Sequence, residues 1–395
     1  MAAKKICLIS DLHLSTNPRT WKEAKTLASH NYDVTIITMF HSPALRERDK
    51  ELLAGLPAGI NYRCAASYIN GEMPRWKSLW RRGVGKLARL IKKLDIDTPY
   101  LLNNNPGAII REALKVSADL YICHADCSLY IGKKLIEKGK NVAFDIEDWY
   151  SNDYLVSTRP VRLLKRLEKF ALENGAYVTC PSNAMAEAMH KEYGGVKPEV
   201  IYNGFPIEPL PANNDSATPS LVWFSQTIGP GRGLEKIIGV LQHIQSPLSL
   251  TLVGDISEKY RNELEALFGN CRQHILIILP QVKHTDLHAL LTQHTIGLAL
   301  EENFPASRDT TIPNKILQYL QAGLSVLATG TAGQKEVAVD FRDVVAIVPP
   351  DDTGTWGIEL QKLISQGKTI KEDIIVRFNN KYSWEAQEGK LLDLV

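Results

Sequence analysis

The stretch over residues 310–336, T-T-I-P-N-K-I-L-Q-Y-L-Q-A-G-L-S-V-L-A-T-G-T-A-G-Q-K-E, decides how this chain reads. Pro313 suits a first helical turn, where its missing N–H removes a donor that has no intrahelical partner, and Gly323 suits the helix stop. The free N–H groups and the dipole at that helix start favour an anion, and Lys315 adds a full positive charge beside them. Residues 325–329 then form a short apolar run of strand type. It ends at Gly330-Thr331-Ala332-Gly333, a second turn where backbone approaches a ligand closely. The pattern of helix start, buried strand and glycine turn fits a nucleoside diphosphate.

The surroundings of this stretch repeat its alternation. Before it come strand-like runs at 221–225, 248–254, 275–279 and 296–300, interleaved with helical patterns at 234–241, 260–268 and 286–292. The first half does the same, with strands expected at 5–10, 33–38, 61–65, 120–124, 142–146, 177–181 and 199–202. Its helices are expected near 20–29, 108–116, 129–138, 161–173 and 183–192. Short apolar runs separated by amphipathic helices predict parallel sheets covered by helices on both faces. Between the halves, P-I-E-P-L-P-A-N-N-D-S-A-T-P lacks apolar periodicity and reads as a linker. The expected fold class is therefore α/β, two Rossmann-like doubly wound domains; in such sheets ligands bind outside the carboxyl ends of the strands, where strand order reverses. A length of 395 residues agrees, because single hydrophobic cores stop growing near roughly 250–300 residues.

Composition excludes several alternatives. A formal net charge of +2 gives no general affinity for nucleic acid. The six cysteines, Cys7, Cys64, Cys123, Cys127, Cys180 and Cys271, are scattered, several in apolar runs, which predicts reduced thiols and a cytoplasmic setting. Cys123 and Cys127 bracket His124 and Asp126, but no second Cys/His pair at finger spacing follows, so no metal site is expected. His284 and His288 lack the glutamate of a metalloprotease helix and read as surface histidines. The start, M-A-A-K-K-I-C-L-I-S-D, has too short an apolar run for a signal peptide, and no run reaches the roughly 18 residues of a membrane span.

Five segments, in order, resemble the GT-B glycosyltransferases, and among them the retaining family 4-like (group 1) bacterial sugar transferases. They are N-P-R-T-W-K-E-A-K-T-L-A-S-H-N-Y-D-V-T-I-I-T from Asn17, V-I-Y-N-G-F from Val200, L-V-W-F-S-Q-T-I-G-P-G-R-G-L-E from Leu221, P-N-K-I-L-Q-Y-L-Q-A-G-L-S-V-L-A-T from Pro313, and Y-S-W-E from Tyr382. The resemblance implies an acceptor-binding domain over 1–204, a linker over 205–219, a nucleotide-sugar domain over 220–378 and a helix over 379–395 that crosses back, with the domains facing a central cleft. It also implies transfer of a hexosyl-type group from a nucleotide-diphosphate sugar, without metal or other cofactor and with retention, to a glycan or lipid-linked acceptor in cell-surface polysaccharide synthesis. A nucleotide-sugar epimerase of the same fold and a non-catalytic nucleotide-sugar-binding subunit are the alternatives.

Departures from the family pattern are local. Many members carry two glutamates eight positions apart around the donor helix; here the later place holds Gln318 and the earlier Thr310. Gln318 can still bond a ribose, without the strength of a charged acceptor, and Glu301 or Glu302 is placed to supply a carboxylate. The arginine usual in the first donor loop is displaced, with Gln226 early and Arg232 later.

Sugar transfer needs fixed donors and cations where charge builds on the leaving diphosphate. The expected set is Arg232, Pro313, Asn314 and Lys315, with Thr331 and Gly333 contacting phosphate or ribose. On the first domain His124 ends its strand, and in the resembling family a histidine there touches the transferred sugar. Asp145, Glu147 and Asp148, in D-I-E-D-W-Y, are candidates to orient the acceptor hydroxyl or act as base. Asn17 and Arg19 follow the first strand and face the acceptor, or the diphosphate from the opposite side, or, as helix cap and surface arginine, nothing functional. Finally, R-W-K-S-L-W-R-R-G-V-G-K-L-A-R-L-I-K-K-L, residues 75–94, sets Trp76 and Trp80 among Arg81, Arg82 and other cations. It reads either as an anionic-membrane surface, placing the enzyme at the inner face of the membrane, or as a helix packed on its own domain.

Overall fold

The computed structural model describes residues 3–69, 72, 74–209, 218–366 and 371–395. Two compact units result, Met1–Tyr202 with Glu388–Val395, and Asn203–Gln387. Of the expected linker, residues 210–217 lie outside the described residues.

The first unit holds β1 (Lys5–Ser10), β2 (Asp33–Phe40), β3 (Ile60–Ser67), β4 (Leu120–His124), β5 (Val142–Asp145), β6 (Val178–Cys180) and β7 (Glu199–Val200). They form one parallel sheet in the order β3-β2-β1-β4-β5-β6-β7. Its helices are α1 (Pro18–Ser29), α2 (Pro43–Ala54), α3 (Arg75–Lys92), α4 (Pro106–Ala113), α5 (Asp126–Ile136), α6 (Val161–Asn174) and α7 (Asn183–Tyr193). The strands are near-continuous apolar runs because helices cover both faces. Cys7 and Ile9 belong to the cluster that includes Ile109, Leu129, Ile131 and Leu164 from the covering helices, while the intervening Ile6 and Leu8 are equally buried. Helix α1 starts where the sequence places a cap: the Asn17 side chain accepts from Thr20 N at 3.1 Å and Pro18 takes the first helical position.

The second unit holds β8 (Ser220–Ile228), β9 (Ser249–Ile256), β10 (Ile275–Leu279), β11 (Ile296–Ala299), β12 (Ser325–Thr329) and β13 (Val345–Val348), in the order β10-β9-β8-β11-β12-β13. Its helices are α8 (Leu234–Leu241), α9 (Glu258–Phe268), α10 (His284–Leu291), α11 (Ala306–Thr310), α12 (Asn314–Gln321), α13 (Ala332–Ala338), α14 (Thr353–Ser365) and α15 (Lys371–Tyr382), and α16 (Trp384–Leu394) ends the chain. Trp223, Leu298, Leu327 and Trp356 are fully buried at the centre of its core.

The structure corrects three expectations. Pro313 is the cap residue of α12, in extended backbone, and Asn314 is the first helical residue. The segment read as a turn at 330–333 is the start of α13, with Thr331 as its cap. Residues 379–395 are the end of α15 and all of α16, two helices separated at Ser383, whose hydroxyl accepts from Ala386 N at 3.2 Å.

Candidate functional site

In both sheets strand order reverses once, between β1 and β4 in the first and between β8 and β11 in the second. The carboxyl ends of those strand pairs are where a doubly wound sheet opens to a ligand. The donor-side and acceptor-side candidates lie on such strand ends or on the segments that follow them, whereas Trp76, Trp80, Arg81 and Arg82 lie on α3.

In the second unit, the chain leaving β11 is fixed by the hydroxyl that ends β12. Thr329 Oγ1 accepts from Glu301 N at 2.7 Å and donates to Glu301 O at 2.6 Å. The buried Gln334 amide holds Thr329 in turn, donating to its carbonyl at 2.8 Å. Thus anchored, Glu301 extends one carboxylate oxygen to Lys315 Nζ at 2.6 Å. The same ammonium lies 5.4 Å from the ring centroid of Trp223 on β8. Both charges are largely shielded, with 12% of the Lys315 side chain and 17% of Glu301 exposed, so the cation sits in a medium of reduced dielectric. An ammonium has three donors, and Glu301 engages one direction of them.

Lys315 stands in the first turn of α12, where the backbone N–H groups have no helical partners. The start of α13 lies directly against it: a Cβ on Gly333 would come within 2.3 Å of Thr311 O, so glycine is required for this approach. Ala332 N, in the same turn, donates to Asp309 at 3.0 Å. Thr331 is fully buried and its hydroxyl accepts from Gln334 N at 3.3 Å, which assigns it to capping. Asn314 accepts from Asn203 at 2.9 Å. Gln318 is buried in the second turn of α12, whereas Glu302 is exposed. Thr310, at the other position where a glutamate was expected, bonds the carbonyls of Ala306 and Ser307 at 3.3 Å. Arg232 is half-exposed between Gly231 and Gly233 before α8, with no ion-pair partner among the described residues. Gln226 lies within β8, in the irregularity of its pairing with β9 between Phe224 and Thr227, and not in the loop.

In the first unit the parallel register lines up a polar row across the strand ends. Ser10 pairs with His124, His124 with Asp145, and Asp145 with Thr179. Equivalent positions in parallel strands project to the same face, and here that face meets α1. Arg19 Nε lies 2.6 Å from Asp145 and 3.4 Å from Glu23. His124 is 3.2 Å from Asp145, 3.3 Å from Glu23 and 3.4 Å from Glu147. Thr179 donates to Asp145 at 2.6 Å, and Asn17 donates to Glu147 at 2.8 Å. The Arg19 guanidinium also donates to Ile201 O at 2.7 Å.

Arg19, Glu23, His124 and Asp145 are all almost completely buried, so Arg19 is not the surface arginine of the simpler sequence reading. Burial pushes the His124 imidazole down, but Glu23, Asp145 and Glu147 outweigh it and hold it well above the ordinary histidine value. Burial likewise pushes Asp145 up, and Arg19, His124 and Thr179 outweigh that and bring it to about 2. Glu23, His124 and Asp145 place one ligand atom each within 4.8 Å of one another, but Arg19 already supplies the cation there. His124 is sealed from solvent, and of the cluster's carboxylates Glu147 is the accessible one, at 25%. Asp148 beside it is half-exposed and accepts from Trp149 N at 2.8 Å.

Glu23 and Asp11 carry no motif that marks them as members of this site, and Asp126 stands out only through the cysteines that bracket it. Asp11 follows β1 and is buried; burial and the neighbouring Asp126 push its carboxyl up to about 7, against the Asn103 amide that donates to it at 3.0 Å. Asp126 opens α5 directly after Ala125, whose φ of 70° and ψ of 175° lie in a region almost reserved for glycine. Backbone strain of about 1–3 kcal/mol is thus held at the strand switch. Perturbed carboxyls and strained backbone at one strand end are the marks of a functional site.

The loop carrying Glu147 and Asp148 is clamped from below by Glu168 of α6. Its carboxylate accepts from Ser151 N at 2.9 Å and from the Tyr193 hydroxyl at 2.8 Å. Burial dominates these bonds and pushes Glu168 up from 4.5 to about 7. A carboxyl raised in the fold contributes stability that is complete below its unfolded value and lost as pH rises through the folded one. Stability to urea is therefore expected to fall between pH 4.5 and 7, with Asp11 acting in the same direction. Glu168→Gln should make the fall shallower, by up to about 3 kcal/mol. Denaturation curves across that range test this, and an equal fall in the variant refutes it.

Comparison with known proteins adds the following. A family model described as Glycosyltransferase Family 4 matches residues 19–208, and one described as Glycosyl transferases group 1 matches residues 218–366. No curated protein gives a significant match. Among solved structures, a glycosyltransferase from Rickettsia africae superimposes with a TM-score of 0.69 at 16% identity, covering 100% of this chain and 98% of its own. The Anabaena protein HepE, in complex with UDP and glucose, gives 0.66 at 15% identity, covering 99% and 98%. A UDP-GlcNAc 2-epimerase from Neisseria meningitidis, bound to UDP-GlcNAc, gives 0.58 at 12% identity, covering 99% of each chain.

Proposed function

Because the chain belongs to the GT-B glycosyltransferases, with a family 4 domain followed by a group 1 domain, we propose that it transfers a hexosyl group from a nucleotide-diphosphate sugar to a glycan or lipid-linked acceptor. The observation that carries the donor half is the shielded Lys315–Glu301 pair at the switch point of the second sheet, beside the free start of α12. As the bond from the sugar's anomeric carbon to the diphosphate breaks, the electron pair leaves with the phosphate. Lys315, Arg232 and the N–H groups after Pro313 stabilise that charge as fixed donors, without a metal. Gln318 and Glu301 are the groups for ribose and sugar hydroxyls, and a UDP-sugar is the first donor to try, since HepE binds UDP-glucose.

The first unit holds the acceptor. Glu147, accessible and braced by Asn17, takes the proton that the attacking hydroxyl loses, while His124, itself held by Asp145, positions Glu147 from the buried cluster. Retention of anomeric configuration is part of this reading through the family. Incubation with UDP-, GDP- and dTDP-sugars, following both nucleotide release and the fate of the sugar, tests it. Nucleotide release that requires acceptor is expected. Interconversion of the sugar without release would make the protein an epimerase, and nucleotide binding with neither would make it a binding subunit.

A further inference from the structure

Helix α3 is assembled inside out. Its small residues face the unit: Ala88 is buried, and a Cβ on Gly85 would come within 2.8 Å of Asn104 Oδ1. Val84 and Ile91 are half-buried, and its other large apolar residues face outward. Trp76, Leu79, Trp80, Leu87, Leu90 and, just past its end, Leu94 fall on one side at helical spacing and are between 56% and 74% exposed. Hydrophobic packing within the domain would place these groups the other way round, so the exposed stripe has another apolar environment to meet. Beside it runs an exposed basic flank of Arg82, Lys86, Arg89 and Lys93, and no Asp or Glu occurs between Glu72 and Asp95.

We infer that α3 is a docking surface for an anionic lipid bilayer, its tryptophans and leucines entering the interface and its basic flank meeting the headgroups. Tryptophan beside leucine with an all-cationic flank is the chemistry of a helix lying in a charged bilayer surface. A second copy of the chain fits less well, because a two-fold contact through this helix brings two basic flanks together. No helix among the described residues is long and apolar enough to cross a membrane.

The docking helix is also tied to the acceptor-side strand end, and this consequence rests on the transferase reading. The Arg81 guanidinium lies 3.7 Å from the ring centroid of Tyr68; Tyr68 packs on His41 at 5.4 Å; and His41 Nε2 lies 2.9 Å from Asp11 O. By a second route, Gly85 rests on Asn104, whose neighbour Asn103 donates to the Asp11 carboxylate. Docking through α3 therefore holds the switch point of the first sheet near the lipid surface, as an acceptor anchored in that bilayer requires.

The test is sedimentation of the full chain with phosphatidylcholine vesicles and with mixed phosphatidylcholine–phosphatidylglycerol vesicles, alongside UDP titration in solution. Binding to mixed vesicles only is expected, weakened more than tenfold by Trp80→Ser with Leu87→Ser and by Arg82→Glu with Lys86→Glu. UDP affinity should be the same in both variants. Equal binding to both vesicle types, no binding to either, or variants that bind like the parent chain would overturn the inference. So would a dimer that Leu87→Ser dissolves in a chain without vesicle affinity. Loss of UDP binding in the parent chain with vesicle binding intact would sink the donor reading and leave the docking surface standing.

Discussion

Lys315→Ala is expected to lower turnover about 10²–10³-fold, the loss typical when one fixed donor to a developing oxyanion is removed. The ammonium is held at 2.6 Å by Glu301 and lies over the Trp223 ring, so it is oriented before substrate arrives and needs no reorganisation as charge builds. Because its partner is a carboxylate, a structural explanation competes: without Lys315, Glu301 is a partly shielded charge lacking its ion pair. That loss is on the order of 1–3 kcal/mol of stability. The double variant Lys315→Ala with Glu301→Gln separates the two. If Lys315 serves the diphosphate, the double variant regains stability while UDP affinity and turnover stay far below those of Glu301→Gln alone. If the pair is only structural, its activity returns to that of Glu301→Gln as stability returns. A greater fall in kcat than rise in KM is expected, since the additional charge that Lys315 meets builds on the leaving oxygen only as the bond breaks. Unchanged UDP affinity and turnover in a folded Lys315→Ala protein would defeat the phosphate assignment.

The strands around both sites were legible because their composition is uniform. The apolar runs at Lys5–Ser10, Leu120–His124, Ile275–Leu279 and Ser325–Thr329 have the same limits in the structure as in the sequence reading. Helix α2 was not legible: its run P-A-L-R-E-R-D-K-E-L-L-A is highly charged, yet its Asp49 is fully buried, accepting from Ser15 N at 2.7 Å and pairing with His13 at 2.7 Å. The start of α13 reads as a turn in sequence because Gly330 precedes it and Gly333 lies in its first turn. Gly333 is there for close packing against Thr311 and does not break the helix.

The first-unit cluster shows a different limit. Asn17, Arg19, His124, Asp145 and Glu147 stand out in the sequence, and the structure brings all five together. Their burial is the part that spacing could not convey. Arg19 and Glu23, four apart on a helix, look like an exposed surface pair in sequence, worth a few tenths of a kcal/mol. Only the register of β1, β4, β5 and β6, which sets His124, Asp145 and Thr179 in one row beneath α1, turns that pair inward.

Arg19→Ala is accordingly expected to destabilise the protein by about 3–5 kcal/mol at pH 7, the cost of breaking a buried ion pair by removing one partner. The guanidinium faces Asp145 at 2.6 Å and Glu23 at 3.4 Å and is 3% exposed, so neither water nor counterions replace it. With Arg19 gone, His124 and the buried Lys22 are left to balance Glu23, Asp145 and Glu147. The pH dependence follows from Asp145, held at about 2 against an ordinary 3.8. A carboxyl depressed in the fold contributes stability that is present above its unfolded value and lost as pH falls through its folded one. Removing Arg19 raises the folded value of Asp145 and takes that contribution away, so the gap between parent and variant should be widest above pH 4 and narrow towards pH 2. Urea unfolding at neutral and acid pH measures both ends. Adding Asp145→Asn to Arg19→Ala should recover part of the loss, because a neutral amide needs no counter-charge. A loss below about 1 kcal/mol at pH 7, the size expected of an exposed pair, would show that the cluster is solvated and does not work as a buried ionic unit.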